Sequence, residues 1–342
     1  MYSPPERRPD RLDPRRPDGI RPTTFTRPAR SSGLRTVALV VLPFIVSGLV
    51  AVVAYFAPVA QVALLQTGQQ LGSGVAAPPV AAGSPFTMLL MGSDDDSKFQ
   101  GNPLTQSMIL VRVDPAAKAV TMFSIPRDLY VPISGSRPAK IDQAYEVGGA
   151  DTAVQTVEKD LAVRIDYWAW IGLTGLVKLV DQVGGVDISP TNAVLDDAYP
   201  NDVNSQDPYG TVRIAVLPGP QHMDGVHVLQ YVRSRHDDIR EDFGRSFRQQ
   251  QVLIALRSRA RALNAADLPG IVSSFQGKFK TSMGLEQMRE LLPLANQIQP
   301  ASIKQVVLVG NYTRDGVIGG QDVLLPNMSL IQATVHQTFP AS

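Results

Sequence analysis

The chain contains no cysteine. Disulfides, thiol nucleophiles, iron–sulfur clusters and cysteine zinc sites are therefore excluded, and an exported domain of this size has no need of them. Histidine is scarce as well: His222, His227, His236 and His336 show no metal-ligand spacing and no HExxH pattern. A GxxxxGKS/T phosphate loop and a GxSxG nucleophile elbow are also missing, which removes two familiar classes of hydrolase. No stretch repeats at a fixed period. Charge is thin, at 18% of residues and a net +1, while 44% of the 342 residues are hydrophobic. Such a chain can supply a membrane anchor plus one large or two small domains, with ample core.

The charge that exists is unevenly placed. Residues 1–35 carry nine arginines against four acids, with seven prolines, a composition that cannot bury enough apolar surface to fold alone. Thr36 to Ala57 (TVALVVLPFIVSGLVAVVAYFA) then holds no charge at all. About 20 apolar residues span the hydrocarbon core of a bilayer, so 36–57 reads as one transmembrane helix in which Pro43 is a tolerable kink. A cleaved signal is the other reading, but the run is too long for a signal core and no small-x-small site follows it closely. Arginines flank its N-terminal side. Residues 1–35 are thus expected to be a disordered cytoplasmic arm, with everything after Ala57 outside a single-pass cell membrane. The arm sets topology and can touch anionic lipid. Nucleic acid is not an expected partner, since no helix-turn-helix pattern appears. Residues 58–83, small and rich in Ala, Gly and Pro, read as a spacer.

One extracytoplasmic domain is expected over 84–342. FTMLLMGS (Phe86–Ser93) is a short apolar run that stops at Gly-Ser-Asp, as a buried strand does at a functional edge, and Asp94, Asp95 and Asp96 follow. SMILVRVDP and AVTMFSIPRDLYVPI predict two further strands, the second interrupted by the corner at 125–128. DTAVQTVEKDLAV predicts a helix capped by Asp151. IDYWAWIGL predicts a strand, and TGLVKLVDQVGGVDISP a helix stopped at Gly184 and Gly185 before a short strand. Residues 189–220 are polar and rich in Pro and Asn, and read as a long surface loop. MDGVHVLQYV predicts a short helix. Later segments predict helices at 252–263, around 285–298 and near the end of the chain, with a strand at IKQVVLVGN. This alternation implies an α/β fold: a mixed central sheet covered by helices on both faces.

The densest chemistry lies in YVRSRHDDIREDFGRSFRQQQ, from Tyr231 to Gln251. Arg233, Arg235, Arg240, Arg245 and Arg248 are interleaved there with Asp237, Asp238, Glu241 and Asp242. Arg245, Arg248, Gln249 and Val252 share one face of a helix, polar at its start and apolar later, as if its first turn reached into a site. Arg233 and Arg235 point to the same side if their segment is extended. Arginine presents a planar fork of donors to phosphate oxygens, and hard oxygen ligands without His or Cys suit Mg²⁺. A solvated, salt-bridged helix start is the plainer reading of the same charges. The residues alone reach an extracytoplasmic phosphate or pyrophosphate site.

Several motifs fall in order. They are GSD at 92–94, IPRDLYV at 125–131, KIDQAYEVGG at 140–149, LVDQVGGVDI at 179–188, MDGVHVLQYVRSR at 223–235 and DFGRSFRQQ at 242–250. Their order and spacing resemble the LytR-CpsA-Psr family of bacterial cell-envelope proteins. The resemblance implies a phosphotransferase. Such an enzyme moves a phospho-glycan from a polyprenyl pyrophosphate carrier onto a peptidoglycan sugar hydroxyl, with Mg²⁺. It gives Asp94 and Asp242 to the metal, and Arg127, Arg233, Arg235, Arg245 and Gln249 to the pyrophosphate, with Asp94, Arg127, Arg233, Arg235 and Asp242 as the catalytic set. A prenyl tunnel between sheet and helices is implied too, with Trp168, Trp170 and Leu173 as lining or as plain core. One departure stands out. Where the family opens its second strand with an Arg-x-Asp pair, this chain has Leu104 and Gln106. A neutral amide does not replace a carboxylate's charge at Mg²⁺, and Leu104 offers phosphate no donor. A catalytically impaired relative that binds polyprenyl-linked lipid or assists a sibling enzyme is therefore the alternative.

Overall fold

The structure is a computed structural model that describes residues 80, 83–93, 102–201, 210–234, 241–260, 278–283, 294, 297–308 and 310–339, without the side chains of 241–243 and 260. All belong to the unit Ala54–Ser342, while the unit Met1–Val53 lies outside them. The expected membrane span at 36–57 and the spacer up to 79 are likewise outside the described residues, as are Asp94–Asp96 and Arg235. Among the described residues no helix is long and apolar enough to cross a membrane.

The centre is a six-stranded sheet in the order β11-β6-β1-β2-β3-β12. Its members are β1 (Phe86–Ser93), β2 (Thr105–Asp114), β3 (Ala119–Ile125), β6 (Tyr167–Gly172), β11 (Phe279–Thr281) and β12 (Ile303–Val307). β1 pairs with β6, and β3 with β12, in parallel; the other ladders are antiparallel. The sheet is mixed, as expected.

Register explains how both faces are buried. Leu89 faces Leu110, which faces Phe123, and Met91 faces Met108, which faces Ile125. These rows lie on one side, since alternate strand residues share a face. They pack with Ala153 and Val157 of α1 (Gln143–Leu161) and with Ile331 and Val335 of α5 (Met328–His336). The intervening residues Leu90, Ile109, Val111 and Met122 pack against Leu253 and Ile254 of α4 (Glu241–Ala260). Buried Gln250 adds a specific tether there, donating to Ser124 Oγ at 2.8 Å and to the Val306 carbonyl at 3.3 Å. Two further α-helices are α2 (Leu173–Gln182) and α3 (Gly225–Arg233).

Several local expectations are corrected. The first helix begins at Gln143, not after Asp151, and contains non-helical backbone at Gly148 and Gly149; that interruption hid its first turns from a periodicity reading. Residues 189–220 are not one loop. They carry the antiparallel pair β8 (Val194–Pro200) and β9 (Thr211–Val216), and two short strands, β7 (Val186–Ile188) and β10 (Gln221–Met223), pair beside it. Near the C-terminus a hairpin of β13 (Thr313–Ile318) and β14 (Gln321–Pro326) precedes α5. The helix expected at 285–298 lies almost wholly outside the described residues.

Candidate functional site

Between the sheet and helices α2, α3 and α4 lies a cavity of about 230 Å³. Its body is apolar, with Leu90, Ile109, Leu176, Leu229 and Val252 among its walls. Trp170 and Leu173, expected as lining or core, do line it, whereas Trp168 packs against the main core instead. Trp170 is held on two sides: it stacks on Tyr145 with ring centroids 5.8 Å apart, and its indole N–H donates to Ser93 Oγ at 2.5 Å. That bond fixes the end of β1, the Gly-Ser that precedes Asp94.

The cavity's polar end carries Gln106, Ser107, Arg233, Arg245 and Gln249. A second, polar cleft continues from there. It shares Gln106, Ser107, Arg245 and Gln249 with the cavity and adds Arg127, Asp128 and Ser246. Hence Arg127, Arg233, Arg245 and Gln249, named from sequence, do converge around one neck. Arg235 and Asp94 lie outside the described residues, and so does the Asp242 side chain, so their places in this site are not described.

Arg127 and Arg233 are positioned by contacts that can be named. Arg127 sits in the Pro-Arg-Asp corner between β3 and β4 (Tyr130–Val131), whose partner is β5 (Ala139–Lys140). Its guanidinium meets Asp128 Oδ2 at 3.3 Å and donates to Gln106 Oε1 in a very short contact. Asp128 also takes Lys140 Nζ at 2.8 Å. Burial pushes the Asp128 carboxyl up, but the Lys140 bond and the Arg127 and Lys140 charges outweigh it and hold the pKa below its ordinary value. Directly behind, the Asp142 N–H donates to the Arg127 carbonyl at 3.2 Å. Burial pushes the Asp142 carboxyl up to about 6 against the pull of Arg127 and Lys140, and its Oδ1 has no hydrogen-bond partner.

Arg245, only 6% exposed, projects from the first turns of α4, with Gln249 one turn on. Ser107 donates to Gln249 Oε1 at 2.9 Å, which ties α4 to β2 across the neck. The expectation that Arg248 shares this polar face is corrected. Arg248 is buried and turned away, donating to the carbonyls of Tyr231 and Ser234 at 2.6 Å each. It therefore satisfies the C-terminal end of α3. Arg233 is the last residue of that helix, not part of an extended segment, and lies over the ring of Tyr199 at 5.9 Å from its centroid. Ser234, the next residue, donates to buried Asp196 at 2.8 Å. Sequence reasoning missed Ser107, Tyr199, Asp128 and Lys140 as parts of the site. The last two lie inside motifs quoted for the family, so the signal was there; Ser107 and Tyr199 left none.

The described donors around the neck are guanidiniums, amides and hydroxyls, with Asp128 already paired twice. They do not by themselves fit Mg²⁺, which prefers carboxylate and water oxygens. Among the described residues no three His, Cys, Asp or Glu side chains gather to hold a metal. The two expected ligands, Asp94 and Asp242, are side chains the structure does not describe. What the described arrangement can do is bind an anion at the mouth of an apolar hole.

The family described as LytR_cpsA_psr matches residues 63–338. This chain belongs to the LytR-CpsA-Psr family. Among its relatives, Biofilm regulatory protein A of Streptococcus mutans is 33% identical over 283 residues, covering 78% of this chain and 66% of that protein. A protein of Bacillus mycoides named polyisoprenyl-teichoic acid–peptidoglycan teichoic acid transferase TagU is 29% identical, over 72% of this chain and 76% of its own length. The corresponding TagV of Bacillus subtilis is 31% identical, over 66% of this chain and 57% of its own. The crystal structure of B. subtilis TagV superposes with a TM-score of 0.62 at 27% identity, covering 76% of this chain and 99% of that one. The LytR-CpsA-Psr fold is thereby shared.

Proposed function

We propose that this chain is a membrane-anchored phosphotransferase that moves a phospho-glycan from a polyprenyl pyrophosphate carrier onto peptidoglycan. The observation that carries the reading is the neck, where an apolar cavity opens onto Arg127, Arg233 and Arg245. A polyprenyl pyrophosphate has the matching form, a greasy chain joined to a compact polyanion. TagU and TagV are named for transfer of teichoic acid from a polyisoprenyl carrier to peptidoglycan, and this chain's similarity to them supports the same class of reaction. The domain would work outside the cell membrane, tethered by the span at 36–57 with residues 1–35 in the cytoplasm.

In this reading the acceptor sugar hydroxyl attacks the glycan-side phosphorus. A new oxygen–phosphorus bond forms as the bridging bond of the pyrophosphate breaks, and polyprenyl phosphate leaves with the electron pair. The hydroxyl proton passes to a base, for which Asp94 is the first candidate. Little covalent chemistry falls to the protein. Arg127, Arg233, Arg235 and Arg245 hold the chain in line and meet the charge growing on the departing phosphate, so the contribution is positioning and electrostatic stabilisation. Asp94 and Asp242 would hold Mg²⁺, which supplies further neutralisation of phosphate charge. The test is turnover of a short polyprenyl pyrophosphate sugar by the full chain. Arg233→Ala is expected to cost on the order of 10²-fold or more in kcat; an unchanged rate would remove Arg233 from the site.

A second reading is favoured by one observation. Gln106 stands where the family pattern has a carboxylate, and it is bonded to Arg127. A relative that binds the carrier lipid without transferring its cargo would look like this. Turnover only in the Leu104→Arg/Gln106→Asp double variant would establish that reading over the first.

A further inference from the structure

Three residues beside the neck line neither the cavity nor the cleft, yet all bear on Arg233: Asp196, Tyr199 and Ser234. The first two belong to β8, whose ladder with β9 is irregular. Asp196 faces Ile214 and Tyr199 faces Val212, so three steps on β8 match two on β9. The extra residue is a bulge, and a bulge turns toward one face side chains that a regular strand would send to opposite faces. Asp196 and Tyr199 accordingly both lie buried, while Asp197 and Ala198 between them are exposed. The Ala198 N–H donates to Asp196 Oδ1 at 3.0 Å, which locks the bulge from within. The other oxygen, Oδ2, accepts from Ser234 Oγ at 2.8 Å. Ser234 is itself buried, its N–H donating to the Gln230 carbonyl at 3.1 Å and its own carbonyl accepting from Arg248 at 2.6 Å. The chain leaves α3 there, one residue after Arg233, whose guanidinium carbon lies 5.9 Å from the Tyr199 ring centroid.

We propose that Asp196 and Tyr199 are positioning residues for the transfer reaction: the bulge of β8 aims the Tyr199 ring at the Arg233 guanidinium and, through Ser234, fixes the backbone that carries it. The inference rests on reading the neck as a pyrophosphate site. A ring face attracts a guanidinium and narrows the directions its long side chain samples. A buried carboxylate held by two donors keeps its own place. Arg233 thereby meets an anion already oriented, with less side-chain entropy left to lose on binding. The ring adds to whatever other groups Arg233 touches, and its share is measurable as a coupling. Residues 189–220 thus gain a task at the site, although none of the ordered motifs includes Asp196 or Tyr199.

The experiment is a double-mutant cycle on Kd. Radiolabelled farnesyl pyrophosphate is dialysed to equilibrium against the full chain in detergent micelles with Mg²⁺ present, and farnesol is the neutral control. Tyr199→Leu is expected to weaken binding about tenfold in the native chain, and less than about threefold when Arg233 is already alanine. Equal losses in both backgrounds mean a merely structural ring and overturn the inference, as does no loss in either. Tyr199→Phe keeps the ring and is expected to bind within about threefold of native; a tenfold loss there overturns it as well. Farnesol affinity should stay within about twofold throughout. A matching loss of farnesol means a collapsed cavity rather than a misplaced guanidinium, and sinks the assignment. Ser234→Ala cuts the tie to Asp196 and runs through the same cycle, with a loss expected only where Arg233 is present. An additive result removes Asp196 from the assignment; should Tyr199→Leu fail to fold, this second cycle decides the whole of it. If Arg233→Ala binds like native, or the native chain does not bind, the pyrophosphate reading falls and this inference with it. Every other negative result leaves that reading standing.

Discussion

Arg245 and Arg248 lie less than one helical turn apart on α4, yet one lines the site and the other serves the backbone. Arg248 is 4% exposed, and burial lowers its pKa to about 10, still far above neutrality, so it stays charged. Its fork meets two carbonyls at the end of α3, the helix that terminates in Arg233. Arg248→Ala leaves both carbonyls without that partner and is expected to cost about 2–4 kcal/mol in a denaturant titration. Arg248→Lys should recover only part of this, because an ammonium lacks the planar fork. A different buried charge gives a pH prediction. Asp160 on α1 is buried, its Oδ2 has no hydrogen-bond partner, and burial raises its pKa to about 6, against the neighbouring charge of Lys159. The folded chain then binds more protons than the unfolded one between the ordinary value of 3.8 and about 6. Stability from this group is therefore lost as pH rises through that window. Asp160→Asn is expected to raise stability at pH 7.5 by on the order of 1–3 kcal/mol, with the gain shrinking as the pH falls toward 4. Equal gains at both ends in thermal melts would refute the assignment.

At the scale of elements, α2 and α3 approach closely beside the site. A Cβ on Gly225 would stand 2.2 Å from the Val177 carbonyl oxygen, so only hydrogen fits between these two backbones. Gly225→Ala must push α3 off α2 and with it shift Arg233. A loss of about 2–4 kcal/mol in denaturant midpoint is expected, or failure to fold. Most elements were legible from periodicity, and the exceptions have physical causes. β8 was read as loop because its inward positions are Val194, Asp196 and Tyr199: one is a buried acid, and a bulge between the last two breaks the two-residue period. The first helix was entered late because Gly148 and Gly149 interrupt it. Arg233 was read as extended because nothing nearby in sequence reveals that Arg248 closes the helix behind it.

At the scale of the whole molecule, the arginines of the site were legible as motif residues, whereas the cavity was reached only through the family resemblance and not from any pattern in the residues. Its walls come from β1, β2, β6, β11 and three helices, and no single segment shows the hole. The joined character of the site predicts joined binding. Farnesyl pyrophosphate should raise the melting temperature by several degrees at saturation, since a ligand at a hundredfold excess over Kd stabilises by about 2.7 kcal/mol. Farnesol and inorganic pyrophosphate at the same concentrations should each do much less, because each engages one half of the neck. A shift as large with pyrophosphate alone would divorce the cavity from the anion site. The Pro-Arg-Asp corner is also pinned from the far end of the chain: the Leu324 N–H donates to the Asp128 carbonyl at 2.8 Å, and Leu129 bridges Leu324. Synthesis runs from the N-terminus, so the strand that steadies Arg127, β14, is made long after Arg127 itself. A growing chain thus holds its Pro-Arg-Asp corner without this support until β14 has emerged, and a product cut short before β14 never gains it.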